Sequence, residues 1–299
     1  MKHILITGAN RSGSTWVGRV LASNALVDNI IEPLNLNRIK RFKRVEIDVW
    51  YLKLDKSSSL ETIKEAKSLF DYYLNTSFYK VLCDPFASYE GHGVFKSIKK
   101  RIRRASKPVK MLKDPMALFS VPWLNKEYNI LPIIIIRHPA AYVLSVREKN
   151  WWFDFDNFIK QENFFKGELN HLLEEVMEFK RDEKQKSIIE NAALFWKVCY
   201  EQVVYYQEKY PDWFYIKHEV LSIETENIFG NMFNYLQLDF NTEVKKYIRD
   251  STNAKVETQY NRNSSENSKK WVGKLTENEK EIIYSITHSV SDKFYDKFV

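Results

Sequence analysis

An α/β fold, with a P-loop-type, mainly parallel sheet flanked by helices, is what this sequence predicts, and three observations predict it. The chain opens on an apolar strand, Ile4-Leu5-Ile6-Thr7, which runs into a loop at Gly8 and then into a helix with Trp16, Val20 and Leu21 on one side. Strand, glycine loop and helix in that order begin a nucleotide-binding α/β domain. Further on, Pro132 to Ile136 holds four consecutive isoleucines bounded by Pro and Arg. A run that is apolar on both faces suits a strand covered by helices on each side. The alternation then continues. Ala140 to Arg147 reads as a helix, Ser187 to Lys209 as a long aromatic-rich helix stopped by Pro211, and Trp213 to Ile216 as the next strand.

The middle of the chain is less regular. Ser59 to Phe78 has helical spacing, and Val109 to Leu112 reads as a strand ending at Lys113-Asp114-Pro115. Lys96 to Lys110 is a basic stretch with Ile98 and Ile102 between its cations. It reads either as a solvated amphipathic helix or as a rim that attracts an acidic acceptor. No repeat or linker divides the chain, so residues 1–299 are expected to form one domain.

With 299 residues, 44% of them hydrophobic and 15% aromatic, the chain has ample material for a core, which excludes a disordered protein. A net charge of +7 favours an anionic partner without choosing among nucleic acid, membrane, acidic polymer and phosphorylated ligand. Two cysteines, Cys83 and Cys199, are too few for a disulfide framework or a cysteine zinc site. No apolar stretch has the length of a secretory leader or a membrane span, so the expectation is a cytoplasmic chain.

The loop Gly8-Ala9-Asn10-Arg11-Ser12-Gly13-Ser14-Thr15 has the spacing of a phosphate-binding loop. Its glycines let backbone wrap an anion, and the helix that follows points its first N–H groups and its dipole at the same place. The spacing matches G-x-x-x-x-G-K-[ST] except that Ser14 stands where a nucleoside triphosphatase has lysine. Such enzymes also end a later apolar strand in an Asp that helps hold magnesium. Here the isoleucine run ends in Arg137. A cation there suits a second anionic group and no metal. A nucleotide with two separate phosphate-type groups, such as 3'-phosphoadenosine-5'-phosphosulfate (PAPS), fits both departures.

Arg11-Ser12-Gly13-Ser14-Thr15-Trp16 resembles the 5'-phosphosulfate loop of the PAPS-dependent sulfotransferases, and Arg137-His138-Pro139 with Ser145 resembles their 3'-phosphate motif, although His138 stands where Asp or Asn is usual. Ile216-Lys217-His218-Glu219-Val220-Leu221 resembles a further strand motif of that family, and Lys113 stands in the place of a family lysine. Ile31-Glu32-Pro33-Leu34 and Arg262-Asn263-Ser264 with Trp271 are similar to elements of its carbohydrate sulfotransferases.

The resemblance implies a sulfotransferase fold, PAPS as donor, adenosine 3',5'-bisphosphate (PAP) as product, no metal, and a hydroxyl acceptor, most readily a carbohydrate. Residues 36–110 and 150–185 are then the expected acceptor-binding insertions. Arg11 and Lys113 are the expected cations for charge on the leaving phosphate. The amides of Ser12, Gly13, Ser14 and Thr15 would cradle the 5'-phosphate, Arg137 and Ser145 would hold the 3'-phosphate, Trp16 would stack on adenine or serve the core, and Arg262 and Ser264 would close the nucleotide site. The histidine that many family members use as base is missing after Lys113. Glu32 is the expected base, its apolar neighbours favouring a raised pKa, and Asp114 is the second candidate. The aromatic cluster Trp151-Trp152-Phe153, Phe155 and Phe158 either faces an acceptor or is core. A lipid, small alcohol or phenol is the alternative acceptor. A P-loop kinase or a nucleic-acid-binding protein is the alternative of another class. The histidines His3, His92, His171, His218 and His288 show no ligand spacing and read as structural or surface groups.

Overall fold

Five strands, β1 (His3–Thr7), β2 (Val27–Ile31), β3 (Val109–Lys113), β4 (Ile130–Ile136) and β5 (Phe214–Lys217), form one sheet in the order β2-β3-β1-β4-β5, and every pairing is parallel. The computed structural model describes residues 2–39, 45–77, 79, 94–252 and 269–296. The main helices are α1 (Ser14–Ala22), α2 (Leu60–Leu74), α3 (Val94–Ser106), α4 (Pro139–Arg147), α5 (Ile188–Lys209), α6 (Thr225–Tyr235), α7 (Thr242–Thr252) and α8 (Glu277–Ser291).

The isoleucine run explains how the sheet is covered. Side chains alternate between the faces of a strand. Ile133 and Ile135 enter a core with Val17 and Val20 of α1 and Phe229 and Phe233 of α6, while Ile134 and Ile136 enter another with α4 and α5. The second core holds a nest of aromatic rings, Phe119, Phe158, Phe164 and Phe195 among them. Pro132 sits inside a central strand without harm because the pairing with β5 begins only at Ile133, so its missing N–H costs nothing on that side.

Helix α5 starts where its capping chemistry starts. Ser187 accepts from the N–H of Glu190, and Glu190 accepts from the N–H of Ser187. Its Tyr200 and Trp196 reach back to the end of β4: the Tyr200 hydroxyl accepts from the N–H of Arg137 at 3.2 Å, and the Trp196 indole donates to the Arg137 carbonyl at 2.8 Å.

The basic stretch is only partly solvated: Arg103 is 62% exposed, but other cations turn inward. Arg101, Arg104 and Lys110 are buried. Arg104 pairs with Asp28 of β2 at 3.2 Å and lies over the Tyr73 ring at 4.9 Å, and Lys107 donates to the Val27 carbonyl at 2.7 Å. These cations fasten α3 along β2, an edge strand that would otherwise present unpaired backbone. Among the described residues no helix is long and apolar enough to cross a membrane.

A sheet of parallel strands delivers all its carboxyl ends to one edge. Gly8 follows β1, Glu32 follows β2, Lys113 ends β3, Arg137 follows β4 and His218 follows β5. Ligands of open α/β sheets bind at that edge.

Candidate active site

The glycine loop is held by contacts that only glycine permits. Gly8 has φ 140° and Gly13 φ 102°. A Cβ at Gly8 would lie 2.3 Å from the Ile135 carbonyl oxygen, and one at Gly13 would lie 2.5 Å from the His218 ring. Gly13 is the N-cap of α1 and brings no side-chain acceptor, so nothing on that residue competes with an anion for the first N–H groups of the helix. The buried Ser12 hydroxyl has no hydrogen-bond partner.

Beside this loop stands half-buried Arg137. Its Nη1 donates to the Arg11 carbonyl, and its Nε has no partner. The backbone of the next residue is pinned from the short helix His218–Ile223 that follows β5, the His138 N–H donating to Glu219 Oε1 at 3.0 Å. His138 caps a helix, as an Asp or Asn side chain can. Its Nδ1 accepts from the Ala140 N–H at 3.2 Å and caps α4, while its ring stacks on Trp271 at 4.6 Å and 9°. Arg11 turns toward the same motif, its Nε donating to Ser145 Oγ at 2.9 Å and its guanidinium lying 5.6 Å from the centre of the Trp151 ring.

At the ends of β2 and β3, Lys113 Nζ donates to Glu32 Oε1. The Lys113 stem is accommodated because Gly18 faces it, where a Cβ would come within 3.2 Å of Lys113 Cγ. The Glu32 N–H donates to the Lys113 carbonyl at 2.8 Å, and Oε2 accepts from Asn35 Nδ2 at 3.0 Å. Burial pushes the Glu32 carboxyl up, but Lys113, Asn35 and Arg38 together hold it below its ordinary value. The raised pKa expected from its apolar neighbours is therefore overturned. The decisive neighbour is a cation from another strand.

Asp114 is fully buried, and both carboxylate oxygens are taken by backbone: Oδ2 accepts from Leu34 at 2.6 Å and Oδ1 from Met116 at 3.0 Å. Burial pushes its carboxyl up to about 7, with the Glu32 charge adding to the rise. It ties the loop carrying Glu32 to the turn after β3. Asparagine at this position can accept only one of the two N–H groups, so Asp114→Asn is expected to cost about 1–3 kcal/mol of stability. A carboxyl whose pKa is raised on folding binds protons more tightly in the folded state, so its contribution to stability falls as pH rises from about 4 to about 7. Urea unfolding across that range should show this slope in the natural protein and lack it in Asp114→Asn. An unchanged slope would remove Asp114 as its source.

These elements surround one cavity of about 970 Å³. Arg11, Gly13, Ser14, Thr15, Trp16, Glu32, Lys113 and Arg137 line it. Ser12, Asp114 and Ser145 lie behind the wall, and Arg262 and Ser264 fall outside the described residues. Trp16 packs against Phe229 at a ring-centroid distance of 5.5 Å and also lines the cavity. The aromatic cluster divides. Trp151 and Trp152 are exposed on the cavity, Phe153 is half-buried, and Phe155 and Phe158 are core. Residues 36–110 supply Asp48, Trp50 and Tyr51 to the wall, and residues 150–185 supply Asp154 and Asn157.

Among the lining residues to which the sequence assigned no site role, two stand out. His218 lines the cavity with Nδ1 unpartnered, and burial and then Arg137 push its pKa down to about 3, so the ring is neutral. Tyr51 lies in no motif. Backbone strain finds it: among the described residues six non-glycines have left-handed φ. Asn129, Asn150 and Gln237 do so just after helices, where that geometry is routine. Arg11, Glu32 and Tyr51 do so on this cavity.

The residues present fit a doubly anionic nucleotide. Arg137 Nε, Ser12 Oγ and His218 Nδ1 are polar atoms left without partners at the cavity or in its wall, and the glycine loop lets backbone approach closely. Among the described residues no cluster of three or more His, Cys, Asp or Glu could hold a metal ion.

No family model and no curated protein matches this sequence. Solved structures do. The chain is similar to the sulfotransferase domain from the curacin biosynthetic pathway, with a TM-score of 0.52 over 97% of this chain and 98% of that one at 11% identity. It is also similar to the sulfotransferase domain of a Synechococcus olefin synthase, at TM-score 0.48, 12% identity and 97% and 96% of the two chains. A mouse sulfotransferase complexed with PAP aligns at TM-score 0.46 and 12% identity over 99% and 86%. The first likeness establishes the architecture: the five-stranded parallel sheet and its flanking helices are the fold of a sulfotransferase domain.

Proposed function

We propose that this protein transfers the sulfonyl group of PAPS to a hydroxyl of a carbohydrate acceptor. The observation that carries the reading is the convergence, at one edge of the sheet, of two anion-binding elements with one carboxylate–ammonium pair. Arg137 on the cavity wall and Ser12 just behind it offer unpartnered donors, and Lys113 and Glu32 stand in the same cavity.

In this reading the amides of Gly13, Ser14 and Thr15 bind the 5'-phosphate, the expected Ser12 amide being already taken by the Ala9 carbonyl at 3.2 Å, and the Arg137 fork binds the 3'-phosphate. Arg11 donates to Ser145 and its carbonyl accepts from Arg137, so it serves the nucleotide before it serves the leaving group. Trp16 offers a ring surface to the adenine. Lys113 stabilises the charge that grows on the leaving phosphate. Glu32 takes the proton of the acceptor hydroxyl as its oxygen bonds to sulfur and the bond from sulfur to the 5'-phosphate breaks, the electron pair staying on that phosphate. The exposed indoles of Trp151 and Trp152 favour a sugar, whose flat C–H face packs on aromatic rings while its hydroxyls remain available.

Calorimetry tests the donor. PAP should bind without magnesium, and Arg137→Ala should weaken it by about 1.5–3 kcal/mol, roughly tenfold to a hundredfold. Unchanged affinity in the variant would remove Arg137 from the site, and magnesium-dependent ATP binding in preference to PAP would favour a kinase. A screen of labelled PAPS against glycans and small hydroxyl compounds tests the acceptor. Label appearing only in phenols or lipids would overturn the carbohydrate assignment.

A further inference from the structure

Tyr51 is built into the cavity at a cost to the fold. Its φ of 58° is one that side-chain-bearing residues rarely adopt, and it does not terminate a helix. Its ring is caged by the edges and faces of Phe119, Phe153, Phe158 and Phe195, at centroid distances of 6.2, 5.7, 6.3 and 5.0 Å. The side chain is only 4% exposed, yet its hydroxyl makes no hydrogen bond. The backbone N–H of Asn10, in the phosphate loop, lies close to that oxygen without closing a bond of ordinary geometry. A buried hydroxyl without a partner destabilises a protein, and here an aromatic cage and a strained backbone fix it in that position.

Resting on the PAPS reading above, we propose that Tyr51 is a further catalytic residue, its O–H donating a hydrogen bond to an oxygen of the sulfonyl group in transfer. Two arguments select that partner over the acceptor. The hydroxyl lies beside Asn10, on the side of the phosphate loop. A donor placed on the attacking oxygen would also oppose its nucleophilicity, whereas sulfonyl oxygens only accept. Burial keeps the phenol protonated, so the group is a neutral donor at any working pH, and it neither gains nor loses a proton in the step. A donor held in place before reaction needs no reorganisation as charge shifts.

Tyr51→Phe removes one oxygen and keeps the caged ring. PAP lacks the sulfonyl group and PAPS carries it, so comparing the two nucleotides isolates the contact. The variant should melt no lower than the natural protein and bind PAP within about twofold of it. It should bind PAPS or turn it over roughly tenfold to a hundredfold worse. Equal PAPS affinity and equal turnover would overturn the assignment. So would a raised acceptor KM with kcat unchanged, because that would place Tyr51 on the acceptor. Natural protein that binds neither nucleotide would refute the PAPS reading and this contact together, a pattern distinct from a variant that binds both normally.

Discussion

Replacing Glu32 by glutamine should lower turnover by about 10²–10⁴-fold, the usual worth of a general base, while leaving nucleotide affinity equal or slightly better. The affinity follows from Lys113. Its ammonium is held by the Glu32 carboxylate in the protein alone, and a neutral amide at position 32 leaves that charge more available to an anion. The same ion pair fixes the pH dependence. Lys113, Asn35 and Arg38 hold the Glu32 carboxyl below its ordinary value, so kcat/KM, which reports the free protein, should rise with pH through a limb below the ordinary carboxylate range and stay flat above it until other groups titrate. The pair's contribution to stability has the same sign: it is present above the carboxyl's unfolded pKa and is lost as pH falls through the folded one. Near-normal initial rates in Glu32→Gln at saturating PAPS would end its role as base. They would not pass that role to Asp114, whose two oxygens are already committed to Leu34 and Met116.

What could be read in advance was whatever local chemistry dictates. Four isoleucines in a row can only be buried on both faces, and a glycine loop between strand and helix needs the φ values found at Gly8 and Gly13. Strand β2 was not legible, because Val27-Asp28-Asn29-Ile30-Ile31 carries polar residues where a central-looking strand should be apolar. Asp28 is tolerated there because Arg104, 76 positions later, and Arg103 pair with it, and these contacts fasten to the sheet a helix that the sequence leaves as either a solvated face or an acceptor rim. The Glu32 environment was misjudged for a similar reason. Its sequence neighbours are apolar, but the residue that sets its pKa is 81 positions away. His138 teaches the converse: its imidazole Nδ1 caps α4 as a carboxylate or amide oxygen would, so this departure from the motif costs the helix no cap. Tyr51 had no local signal, since neither its strain nor its aromatic cage exists before the chain folds.

Lys113→Ala carries the second large effect, and it separates transition-state from ground-state work. Lys113 already has an anionic partner in Glu32, so it offers little to a resting nucleotide. Its value comes as charge moves onto the leaving phosphate and draws the ammonium over. Loss of one such preorganised cation should cost roughly 10²–10³-fold in kcat while the PAP dissociation constant changes by less than about fivefold. A second signature belongs to this pair alone. Without Lys113, the burial that already pushes Glu32 upward is no longer offset by its largest opposing influence, so the acid limb of kcat/KM should move to higher pH. On the proposed mechanism the same coupling would act in the natural protein: as Lys113 turns to the leaving group, Glu32 would become a stronger base when it must accept a proton. Because the lysine is buried beside a carboxylate, the variant should also melt lower, and rates are to be compared below its melting temperature. If nucleotide affinity falls as steeply as the rate, Lys113 is a ground-state ligand. If the rate falls and the acid limb stays in place, Glu32 and Lys113 do not work as a pair.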